Sequence, residues 1–285
     1  MTSDASPLFS EIAIVGVGLI GGSIAAAAKQ NRLAKNIVGI GRSGERLSAA
    51  QQSGLLDAVS VDIAATGSSD FIVVCTPVDR IVADVRAVSS ASRGGAIITD
   101  VGSVKGTICR SLHNGLRKGT TFVGSHPLAG SEKNGWEHAD ADLFKDRLCV
   151  ITPCPGDEKP EVQTVESFWR AIGMRTRRMT PDDHDRALAT TSHLPHAVAS
   201  ALASMLSPEI QDFAATGFRD TTRIAAGDPS IWTGIFLQNA GPVAAQIDVL
   251  IERLRQLRDA ASEQNATALN ALLREAKQNR DQLSE

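Results

Sequence analysis

Tyrosine is absent from this 285-residue sequence, and aromatic residues make up only 4% of it. A tyrosine phenol is therefore excluded as a catalytic acid. The chain has four cysteines, and no two of them are spaced as Cys-x-x-Cys. Their positions argue against a zinc site and predict free thiols rather than disulfides. They are Cys75, Cys109, Cys149 and Cys154.

No apolar run reaches the length that spans a membrane, and the first ten residues contain neither a basic stretch nor a hydrophobic signal core. The net charge of −3 leaves no excess of basic residues for binding nucleic acid. We therefore expect a cytoplasmic protein that has neither a membrane nor a nucleic acid as its partner. Hydrophobic residues make up 42% of the chain, which is enough for a substantial core.

The N-terminal segment predicts a dinucleotide-binding turn, because a short apolar strand runs directly into Gly-x-Gly-x-x-Gly and an apolar helix follows. The first glycine permits the tight turn, the second lets the backbone approach a pyrophosphate, and the third lets the helix pack close on the sheet. The helix N-terminus offers free N–H groups to the phosphates. A glycine-rich turn that binds no cofactor is the alternative. The predicted cofactor-binding residues here are Gly16, Gly18, Leu19, Ile20 and Gly21.

The residues after the second predicted strand favour NADP over NAD. An NAD enzyme usually carries Asp or Glu about 20 residues past the glycine turn, where the carboxylate binds the ribose 2′-hydroxyl. Gly41 occupies that place, and Arg42 and Ser43 follow it. A 2′-phosphate would gain a guanidinium and a hydroxyl there and would meet no carboxylate. We predict NADP as the cofactor, with NAD as the alternative.

Strands and helices alternate along the first 178 residues, which predicts a doubly wound parallel α/β sheet of the Rossmann type. After Arg178 only helical periodicity remains. We therefore predict a dinucleotide-binding domain over residues 1–178 and an all-α domain over residues 179–285. Helices beside a nucleotide domain commonly bury one face against a second copy, so a homodimer through the helical domain is expected. Pro195 is predicted to kink or start the first long helix.

Polar residues follow several of the predicted strands, at the rim where ligands of such sheets bind. Thr76 and Pro77 come after one strand and are expected to contact the cofactor. Ser103 comes after the next, where it is predicted to cap a helix running to about Gly115, and His126 after a third. Taken alone, Ser103 could be only a helix cap and His126 only a loop histidine.

Six short blocks stand in an order and spacing that are specific as a set. They are Gly16-Val-Gly-Leu-Ile-Gly-Gly-Ser23, Thr76-Pro-Val78, Thr99-Asp-Val-Gly-Ser-Val-Lys105, Ser125-His-Pro-Leu-Ala-Gly130, Ser192-His-Leu-Pro-His196, and Phe218-Arg-Asp-Thr-Thr-Arg-Ile-Ala225 with Pro229-x-x-Trp232. Together they resemble the prephenate/arogenate dehydrogenases of tyrosine biosynthesis. The family's usual His-Pro-Met reads His126-Pro-Leu here, a change that conserves volume.

The resemblance implies oxidative decarboxylation of a cyclohexadienol. Hydride leaves the carbinol carbon for the nicotinamide, the ring carboxylate departs as CO2, and the ring becomes aromatic. By resemblance His126 is the base for the hydroxyl proton, a role that suits a neutral imidazole, and Ser103 orients it or the hydroxyl. Arg223 is implied to bind the substrate carboxylate through both arms of its guanidinium. The other implied substrate-binding residues are Ser192, His196 and Arg219.

Glu132 matches a family position near the side chain of the substrate. A carboxylate there would attract the ammonium of arogenate and resist the second carboxylate of prephenate. The resemblance therefore favours arogenate, or use of both substrates. The alternative is that Glu132 points to solvent or binds an arginine of a partner subunit.

No metal site is predicted. His193 and His196 have a spacing that can bind a metal ion on one helix face, but Pro195 between them and the lack of a third nearby ligand favour a substrate or capping role. The remaining histidines are interpreted as surface residues: His113, His138 and His184.

Two other functions stay open. A second type of two-domain NADP dehydrogenase, acting on β-hydroxyacids or imines, shares the glycine turn and a helical domain. Such enzymes usually rely on a lysine or aspartate at the start of the helical domain, where this chain has Asp182-Asp-His-Asp-Arg186. A non-catalytic NADP-responsive module would need the glycine turn but would have no use for Ser103, His126 and Arg223 together.

Overall fold

The computed structural model describes residues 7–130, 133–154 and 159–283. Its strands all belong to one sheet, which confirms the predicted α/β class. The strands are β1 (Phe9–Val15), β2 (Ala34–Ile40), β3 (Ala58–Ser60), β4 (Phe71–Val74), β5 (Ile97–Asp100), β6 (Thr121–Pro127), β7 (Leu148–Thr152) and β8 (Arg175–Arg178). Their spatial order is β3-β2-β1-β4-β5-β6-β7-β8.

Helices separate most of these strands and then form the whole of the C-terminal region that is described. The helices between the strands are α1 (Leu19–Gln30), α2 (Gly44–Gln52), α3 (Ile81–Ala91), α4 (Gly106–Leu112) and α5 (Lys159–Ala171). Those after β8 are α6 (Pro181–Leu188), α7 (Leu194–Ser204), α8 (Thr216–Thr222), α9 (Pro229–Gln238), α10 (Ala240–Ser262) and α11 (Ala266–Asp281). None of the helices described is both long enough and apolar enough to cross a membrane.

The sheet differs from the predicted parallel sheet at one place, because β7 runs antiparallel to β6. Parallel neighbours need a crossover, usually a helix. The described part of the β6–β7 connection holds only a 3-10 turn at Trp136–His138, so the chain reverses without crossing the sheet. The pairing sets His126 opposite Val150. The remaining neighbours in the sheet pair in parallel.

Both faces of the central strands are buried, as the apolar runs of β1 and β4 predict, whereas β8 at one edge of the sheet is largely exposed. Along β1, Ile12 and Ile14 point into one core, and Ala13 and Val15 point into the other. The first core includes Trp169 of α5, which is fully buried. Because each face of the sheet packs against its own core, the carboxyl ends of the strands are held in fixed positions.

A π-helical turn at Ala189–His193 joins α6 to α7, so the chain is helical from Pro181 to Ser204. Pro195 lies at the start of α7, as predicted. The apolar run over residues 231–257 belongs to two helices, α9 and α10, which meet at the buried Asn239. The chain turns there because the Asn239 amide donates to the Asp185 carbonyl oxygen at 2.9 Å, which ties the turn to α6.

Candidate active site

The glycine turn between β1 and α1 has the geometry that its sequence predicts. Gly16 has φ of +97°, and a Cβ there would lie 2.8 Å from the Cys75 carbonyl oxygen. A Cβ at Gly21 would lie 2.2 Å from the Gly16 carbonyl oxygen, so this glycine is needed for packing. A Cβ at Gly18 would meet nothing within 4 Å. The turn is therefore tight at its first and third glycines and open at the second.

A cavity of about 600 Å³ opens at this turn. Six of the predicted cofactor residues line it, whereas Leu19, Ile20 and Gly21 do not. The hydroxyl oxygen of Thr76 is buried and has no hydrogen-bond partner among the described residues. A dinucleotide fits this site, because the open glycine position and the unpartnered hydroxyl are what a phosphate-bearing ligand would use. The six residues are Gly16, Gly18, Arg42, Ser43, Thr76 and Pro77.

Three arginines line the same cavity. The Arg46 guanidinium lies 3.6 Å from Glu137, and that of Arg80 lies 3.2 Å from Asp84. Arg42 is exposed and has no carboxylate within 4 Å among the residues described. The guanidinium of Arg42 therefore remains able to bind an anion.

The N-terminus of α4 is capped in a way that the sequence prediction missed. The helix begins at Gly106, three residues beyond Ser103, so the predicted Ser103 cap is wrong. The carboxylate of Asp185, on α6, accepts hydrogen bonds from the Lys105 and Gly106 N–H groups, both at 2.8 Å. Ser103 is half-buried, and its hydroxyl makes no hydrogen bond to any residue of the described ranges. A contact from another helix has replaced the local cap.

His126 contacts His184, which the sequence analysis wrongly interpreted as a surface residue. Nδ1 of His126 lies 2.9 Å from Nε2 of His184, and Nδ1 of His184 lies 2.8 Å from the Asp185 carboxylate. His184 is 0% exposed, because α6 packs this side of its surface against α4 and the sheet. His126 is half-buried at the end of β6. The three side chains form a continuous chain of hydrogen bonds.

The surroundings of His126 and His184 favour the neutral form of both imidazoles. Burial, and then the charges of His184 and Lys105, hold the pKa of His126 well below its usual 6.5. Burial also lowers the pKa of His184, although the Asp185 carboxylate acts in the opposite direction. Although burial opposes ionisation of Asp185, the hydrogen bonds that it accepts hold its pKa below the usual range. An ionised aspartate next to two neutral histidines is the resulting charge state at neutral pH.

The helical region adds a second histidine cluster. The imidazole of His196 stacks on the indole of Trp232, with ring centroids 3.6 Å apart and planes 10° from parallel. Nδ1 of His196 is buried and has no hydrogen-bond partner among the described residues. Nδ1 of His193, on the π turn, accepts a hydrogen bond from the Asn239 amide nitrogen at 3.0 Å. Trp232 thus fixes the plane of the His196 imidazole, and Nδ1 of His196 remains without a hydrogen-bond partner among the described residues.

The other predicted substrate residues are less closely tied to His126. Arg223 is exposed at the end of α8 and forms no ion pair with a described residue. Arg219 is also exposed, and its Nε donates to the Ala214 carbonyl at 2.9 Å. Ser192 is half-buried on the π turn. No direct contact joins His126 to Arg223 in the described chain, so their convergence on one cleft stays a prediction, and Glu132 lies outside the described residues.

Sequence reasoning missed His184, Asp185 and Lys105. One signal was present on α6, where His184 and Leu188 are four residues apart and therefore share a face. That face is buried, so a histidine on it needs a hydrogen-bond partner. The partner itself, His126, lies 58 residues earlier, and only the fold brings the two together.

Both parts of the chain match models of one protein family. Residues 24–177 match the model of the prephenate dehydrogenase nucleotide-binding domain, and residues 180–275 match that of the prephenate dehydrogenase dimerization domain. A cyclohexadienyl dehydrogenase of Zymomonas mobilis is 35% identical over 270 residues, which cover 92% of each chain.

Solved structures give the same result. A prephenate dehydrogenase of A. aeolicus, in complex with hydroxyphenyl propionate and NAD+, has 33% identity and a TM-score of 0.91 over 99% of this chain and 100% of that one. A Synechocystis arogenate dehydrogenase has 30% identity and a TM-score of 0.82 over 95% and 99% of the two chains. Both the sequence and the fold are thus matched across nearly the full length, and the chain belongs to the prephenate dehydrogenase family.

Proposed function

We propose that this protein catalyses the NADP-dependent oxidative decarboxylation of arogenate, prephenate or both, in tyrosine biosynthesis. The observation that carries the proposal is the hydrogen bond between Nδ1 of His126 and Nε2 of His184. It leaves His126 as a neutral imidazole at the carboxyl end of β6. Its second nitrogen, Nε2, is left for a substrate hydroxyl. Among the alternatives, a binding module has no need of such a base, and family membership disfavours a β-hydroxyacid or imine enzyme.

His126 acts on the proton of the 4-hydroxyl group. As hydride leaves the carbinol carbon, the oxygen becomes more acidic, and Nε2 accepts its hydrogen bond and then its proton. The ring carboxylate leaves as CO2, and its bonding electrons make the ring aromatic. His126 then returns the proton to the phenolate oxygen, so the base is regenerated. Ser103 is proposed to orient the imidazole or the hydroxyl.

The substrate carries carboxylate groups, which need cations or hydrogen-bond donors in the cleft. We assign carboxylate binding to Arg223 through both arms of its guanidinium, since no described carboxylate pairs with it. Arg219, Ser192 and the unpartnered Nδ1 of His196 are proposed to complete substrate binding from the helical side. The A. aeolicus relative was solved with hydroxyphenyl propionate, a phenol with a carboxylate side chain, which is consistent with this assignment.

NADP is the proposed cofactor. When bound, its nicotinamide ring supplies the hydride acceptor. Gly16, Gly18 and the first turn of α1, including Leu19, Ile20 and Gly21, are proposed to hold the pyrophosphate, with Thr76 and Pro77 beside it. The exposed guanidinium of Arg42 and the hydroxyl of Ser43 are proposed to bind the 2′-phosphate. The A. aeolicus relative was solved with NAD+, so NAD is the alternative that the assay must test.

Glu132 supports arogenate as a substrate on the ground of charge alone, because a carboxylate attracts an ammonium group and repels a second carboxylate. We further propose a cytoplasmic homodimer that joins through residues 179–285, with residues 1–178 as the cofactor domain. The match of residues 180–275 to a dimerization domain supports the dimer.

A steady-state assay of arogenate and prephenate, each with NADP and with NAD, tests the proposal. We expect turnover with arogenate and a lower KM for NADP than for NAD. His126→Asn is expected to abolish turnover while leaving NADP affinity within about twofold, because the residue lies outside the cofactor cavity. The exposed His138→Asn serves as the matched control and keeps full activity. Turnover of simple hydroxyacids in place of both substrates would refute the proposal.

A further inference from the structure

We propose that His184 and Asp185 are positioning residues that fix the tautomer of His126, so that its Nε2 always presents a lone pair to the substrate. The inference rests on the function proposed above and identifies two residues that set up its base. Neither residue needs to touch the substrate. They act through the chain of hydrogen bonds that ends at Nδ1 of His126.

The direction of each hydrogen bond follows from Asp185. An ionised carboxylate can only accept hydrogen bonds, so Nδ1 of His184 must carry a proton and donate it. A neutral imidazole has one N–H, and Nε2 of His184 is therefore an acceptor. Nδ1 of His126 must then be the donor in the 2.9 Å contact. The remaining nitrogen of His126, Nε2, is left unprotonated.

Hydrogen bonds fix the position of Asp185 and keep its carboxylate an acceptor. Its two carboxylate oxygens accept from the Lys105 and Gly106 N–H groups at 2.8 Å, and these N–H groups belong to the start of α4. Its backbone carbonyl accepts from the Asn239 amide at 2.9 Å. Helix N–H groups stabilise an ionised carboxylate, and Asp185 is only 5% exposed. The Asp185 carboxylate, which is the last acceptor in the series of hydrogen bonds, is therefore both charged and fixed in position.

The groups around His126 and His184 keep both imidazoles neutral. The groups that face His126 are His184 from α6, Lys105 from the start of α4 and His193 from the π turn, and each acts against protonation of His126. If His184 were doubly protonated, it would donate to Nδ1 of His126 and reverse the tautomer. Burial lowers the pKa of His184 and so opposes that state. The arrangement thus selects one of two tautomers that are close in energy for a free imidazole.

Two substitutions of His184 separate this role from simple packing. His184→Phe fills the buried space but removes the acceptor for Nδ1–H of His126, so a mixture of tautomers is expected. His184→Gln keeps an acceptor oxygen at the end of its side chain. We expect His184→Phe to lower kcat by about 10²-fold with KM changed by less than about threefold. We expect His184→Gln to recover most of the lost kcat.

Asp182→Asn is the control for the contact between α4 and α6. Asp182 lies on α6 and forms a surface ion pair with Arg110 of α4 at 2.6 Å, outside the hydrogen-bond chain. This variant is expected to keep wild-type kcat. If His184 only helped α6 to dock, His184→Gln and His184→Phe would lose activity together, in proportion to their loss of melting temperature.

The tautomer itself is measured without substrate or cofactor, by the ¹⁵N shifts of the ring nitrogens in histidine-labelled protein. The His126 signals are assigned by their loss in His126→Asn. We expect wild-type His126 to carry its proton on Nδ1 at pH 7.5. A proton on Nε2 would overturn the inference even if His184→Phe failed to fold, and so would unchanged kcat in a folded His184→Phe. If the wild type turned over neither substrate, the proposed function would fail, while this measurement would still decide the tautomer.

Discussion

The ammonium group of Lys105 and the carboxylate of Asp100 form an ion pair from which solvent is completely excluded. Lys105 also donates to the Ser125 carbonyl oxygen at 2.9 Å, one residue before His126. A buried cation thus lies next to the proposed base. Its charge opposes protonation of both His126 and His184. The ion pair therefore affects both the stability of the sheet near the carboxyl end of β5 and the protonation of His126 and His184.

Replacing Lys105 is expected to destabilise the fold strongly. Lys105→Met leaves the Asp100 carboxylate buried without its partner, and breaking such a pair costs about 3–5 kcal/mol. Denaturant unfolding measures this loss. The double variant Asp100→Asn with Lys105→Met removes both charges and is expected to regain part of the stability. A single variant as stable as the wild type would contradict the prediction.

The same substitution is expected to change the pH dependence of activity. Without the Lys105 charge the pKa of His126 rises, because that charge is one of the causes that lower it, while His184 and His193 stay in place. The acid limb of the kcat/KM profile should move to higher pH in Lys105→Met. Surface lysine Lys35→Met is the control and should keep the wild-type profile. An unshifted acid limb in a folded Lys105→Met would show that this cation does not influence the base.

Stability should fall as the pH drops below about 6.5. Burial lowers the pKa of His193 from 6.5 to about 4, so the unfolded chain binds a proton that the folded chain does not. Unfolding is then favoured as pH falls between these values, and the loss from this group reaches about 3 kcal/mol at pH 4. His193→Asn, whose amide oxygen can still accept from Asn239, should flatten the pH dependence of the unfolding free energy. The exposed His113→Asn should leave it unchanged.

The glycine turn offers a matched pair of substitutions. Gly21→Ala places a methyl group 2.2 Å from the Gly16 carbonyl oxygen, so the backbone must move and stability should fall by about 1–3 kcal/mol. Gly18→Ala meets nothing within 4 Å and should fold with stability within about 1 kcal/mol of the wild type. The methyl group would occupy the space proposed for the pyrophosphate, so cofactor affinity should fall at least about tenfold. Unfolding curves and cofactor titrations separate the two effects, and unchanged cofactor affinity in Gly18→Ala would argue against a phosphate at this position.

Cofactor choice should depend on Arg42. Arg42→Gln removes a charged hydrogen bond to the proposed 2′-phosphate, worth about 1.5–3 kcal/mol, so KM for NADP should rise about 10-fold or more. KM for NAD should change little, since NAD has no phosphate at this position. Lys35→Gln removes an exposed charge outside the cavity and is the control. Equal changes in both KM values would reject the assignment.

Part of this protein could be predicted from residues close together in sequence. The positive φ of Gly16 and the close contact of Gly21 with the Gly16 carbonyl involve residues near in sequence, so the glycine spacing predicted the strand, the turn and the helix after it correctly. Buried strands such as β4 were recognised from unbroken apolar runs, because a strand covered on both faces carries mostly apolar side chains. The family, likewise, followed from short motifs in a particular order.

The sheet reversal and the partners of His126 could not be predicted in this way. Whether β7 pairs parallel or antiparallel depends on the path of a connection that has no α-helix in its described part. The α4 cap and the base at β6 both receive their partners from α6, about 80 and 58 residues away in sequence. Local patterns can identify a residue type suited to a task, such as His126 for proton transfer. The partner of His126 is His184, whose other ring nitrogen contacts the adjacent Asp185, and only the packing of α6 against α4 and the sheet brings His184 within hydrogen-bonding distance of His126.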